Sequence, residues 1–462
     1  MTITTSGPAP LDTDALRSRF SGWVIGPADP DYDAERTVLP GGIDCHPAVI
    51  VRVAGTDDVR EVIALVRETG HELAVRAGGH SAAAHSTVEG GIVLDVRDLD
   101  SFDIDVEGRT AWAGAGLTAI AYTKAADEHD LATGFGDTGS VGIAGLTLGG
   151  GIGYLVRRDG LAIDNLLGAE IVTADGEVHV VDAEHEPDLF WAIRGGGGNL
   201  GVATRFHYRL HPVTEVTGGM LVLPATPAAV AGAARILDEA PDALSGILNV
   251  MPCPPMPFVP EEYHGSTVIM ALLCYAGPPD EAQRVLAPVR ALAEPLADMV
   301  RPIRYPEMYP PEDPDYHPTA IARTYFLDTF DEPKAEATLE RIAALTTSPI
   351  RVLQLRPLGG ASARVPDDAT AYAHRSHRFM ANVAAFYAGP ADLAEKAAWV
   401  DDLGRALEPA SGAYVNFIAD EGEARVHDAY PPATWERLAR IKRRYDPDNL
   451  FHRNQNVPPS EG

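Results

Sequence analysis

The chain has 462 residues, 45% of them hydrophobic and 22% charged, which is enough apolar material for two or three cores. Sixty-six acidic residues against 37 basic ones leave a formal charge of −29, a field that repels phosphate backbones and anionic bilayers. Nucleic acid and membrane are therefore not expected partners. Three cysteines, Cys45, Cys253 and Cys274, form neither a disulfide framework nor a paired metal-ligand spacing, so no metal is expected.

In chain order, residues 57–69 (DDVREVIALVRET) put Val59, Val62, Ile63 and Val66 on one helical face, with Gly70 as the stop. ELAVRA and GIVLDVR read as strands, and RAGGHS, Arg76 to Ser81, closes the first of them. TAWAGAG reads as a strand and LTAIAYTKAADEHD as a helix, followed by a glycine-dense run from Gly134 to Gly153. AEIVTADGEVHVV is a hairpin turning at Asp175 and Gly176. PDLFWAIR reads as a short helix, and GVATRFHYRLHP as a strand closed by Pro212.

Beyond that point helical patterns at 226–239, 280–295, 333–345 and 391–407 alternate with strand patterns. The strands are STVIMALLCYAG, RTYFLDTF, RVLQLRPL, ANVAAFY and AYVNFIA, a rhythm that suggests helices packed on one sheet. Two proline-rich loops, MPCPPMPFVPEE and YPEMYPPEDPDYHP, are too long to be mere connectors and are expected to line an entrance or an interface. The tail holds a helix, TWERLARIKRR, and a polar end, RNQNVPP, expected to return over the first part of the chain. The reading thus gives a first domain at 1–213, a second at 214–410 and a return segment at 411–462.

Glycine lets a backbone approach a ligand where a Cβ would collide, and free N–H groups in such turns attract phosphate oxygens. Three clusters qualify, Gly78–Gly79, Gly134–Gly153 and Gly195–Gly201, and together they could cradle a large pyrophosphate-bearing cofactor. GFGDTG and GGGNLG both match G-x-G-x-x-G, but a Rossmann turn needs a strand before and a helix after. The first match runs into more glycine, and the second has a helix before it and a strand after it.

The set RAGGHS, GDTGSVGIAGLTLGGGIGYL, DLFWAIRGGGGNLGVATRFHYRLHP, AYVNF and YDPDNLFHRNQNVPP, in this order, resembles the berberine-bridge-enzyme-like, FAD-linked oxidases of the vanillyl-alcohol-oxidase fold. The middle of the chain matches more loosely, through GGASARVPDDATAYAHR. The resemblance implies an α+β protein with a two-subdomain FAD-binding domain of the vanillyl-alcohol-oxidase type. It also implies a substrate domain whose antiparallel sheet is covered by helices. The family's histidine in RxGGHS, here His80, bonds covalently to the flavin. Many members add a cysteine link within GxCxxVG; GDTGSVG carries Thr138 there, so no second cysteinyl link is expected.

The resemblance assigns the other contacts residue by residue. Arg76, Gly78, Gly79 and Ser81 would hold the pyrophosphate, and Asp137, Thr138, Ser140 and Gly142 would lie along the ribityl chain and ring. Gly145, Gly150 and Gly153 would let the backbone pass close, and Asn199 and Val202 would flank the adenine. Asn416, with Asn454, Gln455 and Asn456, would close the site from the tail.

A flavin oxidase takes a hydride from a carbon bearing oxygen or nitrogen and passes two electrons to oxygen. In many relatives the base is the last tyrosine of YxNY; here Tyr414-Val415-Asn416-Phe417 ends in a phenylalanine, which cannot take a proton. The remaining catalytic candidates are Tyr414, Gln354, which shares a strand face with Arg356, Tyr154 and Asn382. A neutral Gln or Asn would orient a substrate rather than deprotonate it. Either the substrate brings an acidic proton of its own, such as a phenol or an enol, or a histidine serves as base, with His129, His374 and His377 as candidates in exposed loops or helices.

The expected activity is oxidation of a small or mid-sized alcohol, amine or phenolic substrate, with molecular oxygen reduced to hydrogen peroxide. The alternatives are a flavin-dependent oxygenase on the same scaffold and a flavin-bearing protein that sequesters its ligand. A homo-oligomer is left open. The opening, MTITTSGPAPLDTDALRSRF, lacks a basic region followed by an apolar run and does not read as a signal peptide, so a cytoplasmic protein is expected.

Overall fold

The computed structural model describes residues 10–461; the first nine residues of the opening stretch and Gly462 lie outside it. A four-stranded sheet orders Trp23–Ile25, Val49–Arg52, Ile92–Asp95 and Leu73–Arg76, the last three parallel. Parallel neighbours need a crossover. The helix Thr56–Thr69 supplies one, burying Val59, Val62, Ile63 and Val66 and ending where Gly70 turns left-handed at φ 69°. A five-stranded antiparallel sheet follows, ordered Phe102–Asp105, Thr110–Gly114, Val202–Arg209, Leu166–Val172 and Val178–Asp182. Its last two strands are the expected hairpin, with Gly176 in the turn at φ 83°.

The second half is built on an eight-stranded antiparallel sheet. Its central strands run Val216–Pro224, Thr267–Tyr275, Leu244–Pro252, Arg351–Pro357, Phe379–Phe386 and Ala320–Leu327. Alternation divides the two faces. Leu248, Val250, Leu353, Leu355, Ala381 and Val383 point to one side and bury against helices 227–239, 332–344 and 393–406. Asn249, Gln354 and Asn382, one residue out of phase, point to the other. The α+β expectation holds, including the antiparallel sheet covered by helices.

Two local readings need correction. AYVNFIA is not a strand: Val415–Phe417 is a single 3-10 turn, closed by Phe417 N–H donating to the Tyr414 carbonyl at 2.9 Å. The Tyr414 N–H goes to the Thr324 hydroxyl at 3.0 Å instead of to a neighbouring strand's carbonyl, which removes the ladder a strand would need. His374 is not exposed. It is buried and stacked on Phe326 with centroids 4.5 Å apart, and burial pushes its imidazole down to about 4. The strands Val216–Pro224 and Leu244–Pro252 carry no sequence reading above, and the glycine-dense run contains a helix, Ile143–Leu148.

Candidate active site

RAGGHS leaves the strand Leu73–Arg76 at the carboxyl end of the parallel sheet. The Arg76 guanidinium does not face outward to a ligand: it donates twice to Asp95 Oδ2, at 2.9 and 2.7 Å, and both side chains are sealed from solvent. A pyrophosphate at this corner would therefore meet backbone, not this side chain. Gly78 passes so close to Gly142 that a Cβ on either would lie 2.3–2.4 Å from the other's nitrogen. Gly79 takes φ 70°, and the Ser81 carbonyl closes the next turn by accepting from Ala84 N–H.

At the end of this turn His80 Nε2 lies 3.0 Å from Ser140 Oγ. Ser140 in turn donates its hydroxyl to Glu312 Oε2, while its N–H donates to Glu312 Oε1 at 2.9 Å. With its hydrogen committed to the carboxylate, Ser140 Oγ can only accept from the imidazole. His80 then carries its proton on Nε2 and leaves the Nδ1 lone pair free. Burial holds this imidazole below its ordinary value, with the Glu312 carboxylate pulling the other way. Glu312 lies in the second proline-rich loop, whose Tyr309 hydroxyl also donates to the Gly136 carbonyl at 3.2 Å.

The glycine run divides by what surrounds each residue. A Cβ on Gly153 would sit 1.2 Å from the Phe135 carbonyl oxygen, so that position is closed by backbone. Gly150, at φ 134°, lies against Tyr372 and Tyr414. Gly145, inside the helix Ile143–Leu148, has nothing within 4 Å of its Cβ position. Open space beside a bare helix position is what a cradle for a large ligand requires.

The tail fastens itself to the third glycine cluster. Asn454 Nδ2 donates to the Gly198 carbonyl at 3.1 Å, and Gln455 Nε2 to Ile418 at 2.7 Å. Asn456 Oδ1 accepts from the buried Lys442 at 3.1 Å. Two residues expected beside the adenine are instead committed to the protein. Asn199 donates to Gly196 and Gln455 and accepts from Val457 N–H, which uses its amide fully. Val202 is a core residue paired with Val172. Tyr430 Oη and Asn454 Oδ1 are shielded and have no partner among the described residues, and both lie within 4 Å of where a Cβ on Gly197 or Gly198 would project, Asn454 through its amide. Unmet polar groups beside bare backbone fit a large, hydrogen-bonding cofactor such as FAD.

Facing this backbone is the polar side of the large sheet. Asp137 pairs with the Arg356 guanidinium, which also lies over the Phe417 ring at 5.3 Å. Thr138 leans back toward Asp137 at 3.5 Å. Arg356 donates to Gln354 Oε1 at 3.2 Å, and Gln354 links Asn249 to Asn382. Tyr414 is buried; its hydroxyl accepts from Gly151 N–H at 2.9 Å and from Asn416 Nδ2 at 3.0 Å, and Asn416 also donates to the Leu146 carbonyl. Burial raises the Tyr414 hydroxyl above its ordinary value, against the pull of those hydrogen bonds. Tyr154, packed edge-on to Tyr309, is raised by burial and then by the nearby Asp137. Both phenols therefore stay protonated at neutral pH.

The structure thus brings His80 to Ser140, and Gln354, Asn382 and Asp137 to Arg356. It adds Glu312, Asn249 and Thr324, which sequence reasoning did not find. For Asn249 a signal existed: a lone amide within the apolar run GILNVM. Among the described residues no cluster of His, Cys, Asp or Glu could hold a metal, and no helix is long and apolar enough to cross a membrane.

Two families match this chain. One described as "FAD binding domain" covers residues 47–182, which include His80 and the glycine run. One described as "Berberine and berberine like" covers residues 413–458, which include the Tyr414 turn and the polar tail. The chain is 29% identical to the (R)-6-hydroxynicotine oxidase of Paenarthrobacter nicotinovorans over 95% of its own length and 97% of that protein's. The crystal structure of 6-hydroxy-D-nicotine oxidase from Arthrobacter nicotinovorans superposes with a TM-score of 0.84 at 27% identity, covering 96% of this chain and 98% of that one. The Physcomitrella patens BBE-like 1 structure, at 20% identity, shares the fold with a TM-score of 0.86 over 98% of this chain and 100% of that one.

Proposed function

Because this chain belongs to the berberine-bridge-enzyme-like, FAD-linked oxidoreductases, we propose that it is an oxidase holding FAD covalently through His80. Its substrate is a small or mid-sized organic molecule that gives up a hydride from a carbon bearing oxygen or nitrogen. Molecular oxygen is the acceptor and hydrogen peroxide the second product. When bound, FAD supplies the two-electron acceptor for the hydride and the route of those electrons to oxygen.

The observation that carries the tether is the hydrogen-bond chain from His80 through Ser140 to Glu312. It holds the imidazole proton on Nε2 and presents Nδ1 as the atom for attachment. Thr138, which has no thiol, supports a single link. Gly78, Gly142 and Gly145 offer backbone and open space to the cofactor, while Gly198, Asn454 and Tyr430 meet its far end.

At the reacting end the chain orients and does not deprotonate. Tyr414 is held by two donors and kept protonated by burial. Gln354 and Asn382 are neutral amides. This favours a substrate that arrives with a free amine lone pair, or with an acidic proton of its own such as a phenol or an enol. The (R)-6-hydroxynicotine oxidase among the relatives supports a small organic substrate.

Two measurements test this reading without a known substrate. Acid-precipitated wild-type protein gives a yellow pellet, and His80→Ala moves the colour to the supernatant; a colourless wild-type pellet refutes the covalent link. Holoenzyme reduced chemically without oxygen and then exposed to air releases about one hydrogen peroxide per flavin, as two-electron reoxidation requires. Reduced flavin that persists in air refutes the oxidase assignment.

A further inference from the structure

Glu312 is exposed, yet both of its carboxylate oxygens are spent on one residue of the other half of the chain. Oε1 accepts from the Ser140 N–H at 2.9 Å, and Oε2 accepts the Ser140 hydroxyl. The N–H can only donate and the carboxylate can only accept, so the direction of this chain is fixed. It ends on His80 Nε2, 3.0 Å from Ser140 Oγ. His80 is half-buried, and Glu312 is the carboxylate whose charge reaches its imidazole. The segment that carries Glu312 is fastened on both sides of this contact. Before it, Arg304 pairs with Asp127 and Asp130. After it, His317 Nδ1 donates to the Val38 and Leu39 carbonyls, both at 3.1 Å, and the Leu39 N–H donates to the Gly79 carbonyl beside His80. A carboxylate in contact with water is thus wired through one hydroxyl to an imidazole that is largely shielded from it.

We propose that Glu312 is the positioning residue for formation of the tether: acting through Ser140, it takes up the Nε2 proton of His80 as Nδ1 forms its bond. This deepens the covalent reading of His80 and rests on it. In that step Nδ1 bonds to the carbon of the flavin's benzenoid methyl group, and one C–H bond of that methyl breaks. Two protons leave, one from the methyl and one from Nε2. The Nε2 proton passes to Ser140 Oγ while the serine proton passes to Glu312 and on to water. The two electrons of the broken C–H bond go by way of the ring to molecular oxygen, which takes up two protons and becomes hydrogen peroxide. Glu312→Gln reverses the whole chain. The Ser140 N–H can bond only to the glutamine oxygen, so the glutamine NH2 faces Ser140 Oγ and the hydroxyl turns to donate to Nε2. The imidazole proton then sits on Nδ1, which has no lone pair left for the bond.

The test reads bound and tethered flavin separately. Flavin-depleted full-length chain is given FAD in air; absorbance of the gel-filtered protein reports bound flavin, and colour in the acid pellet reports tethered flavin. In Glu312→Gln, tethering is expected to slow by about 10²-fold, the lower end of what a positioned proton acceptor supplies, while bound flavin and melting temperature hold. Ser140→Ala is expected to slow it likewise, and Ser140→Thr, which keeps a hydroxyl, to restore it. Tethering at the wild-type rate in Glu312→Gln overturns the assignment. So does a parallel loss of bound and tethered flavin, which is what a contact that merely fastens the loop would give. If Glu312→Gln fails to fold, the serine pair decides: equal rates in Ser140→Ala and Ser140→Thr overturn the relay. Wild type that binds FAD without ever colouring the pellet sinks the covalent reading itself, a result distinct from all of these.

Discussion

Along Gly78–Gly79 and Gly142–Gly145 the molecule presents main chain to whatever binds there; across Asn249, Gln354 and Asn382 it presents side chains. The first surface is made by removing atoms, until two backbone segments approach to the distance at which Gly78 and Gly142 meet. The second is made by register, which lines up single amides from separate strands and lets one arginine dictate how all of them face. Backbone recognition is indifferent to side-chain identity and suits a fixed cofactor. Side-chain recognition can be re-aimed by single substitutions and suits a substrate.

The sharpest way to break this contrast is Gly153→Ala. The new methyl would fall 1.2 Å from the Phe135 carbonyl oxygen, and no flexible side chain can yield. We expect a loss of at least about 3 kcal/mol in denaturant unfolding, with flavin loading lost as well. Asp137→Asn tests the joint between the two surfaces. It leaves the buried Arg356 without its counter-charge, at a cost of about 2 kcal/mol once the partial exposure of Asp137 is allowed for. Gly145→Ala has the smallest effect on stability and separates cofactor from fold. Its Cβ would meet no protein atom within 4 Å, and alanine favours the helix by up to about 1 kcal/mol. The melting temperature should hold or rise while flavin content falls. Full loading would mean that the open space is not the cofactor's seat.

The two surfaces were not equally legible in the sequence. Glycines announce close backbone approach, so the clusters at 78–79, 134–153 and 195–201 stand out in the sequence itself. The helix Thr56–Thr69 was equally plain, since its apolar spacing and Gly70 agree. The amide row was not readable, because it depends on four strands meeting at one register and on a strand, Leu244–Pro252, whose nearly continuous burial erases alternation. The turn at Tyr414 misled for a related reason: its backbone is satisfied by the Thr324 hydroxyl, a partner 90 residues away. Asn199 and Val202 were credited to a ligand from their motif alone, yet one ties down the tail and the other packs a sheet. Glu312 left no mark beyond a proline-rich neighbourhood.

Glu312 reaches Ser140 across 172 residues of chain. A ribosome that has delivered every glycine of the amino-terminal half has still not delivered the carboxylate that orders the His80 proton. On the proposed tether, attachment at His80 waits until the strands on either side of residue 312 have emerged and docked. An excised amino-terminal fragment, however well folded, would lack that ordering.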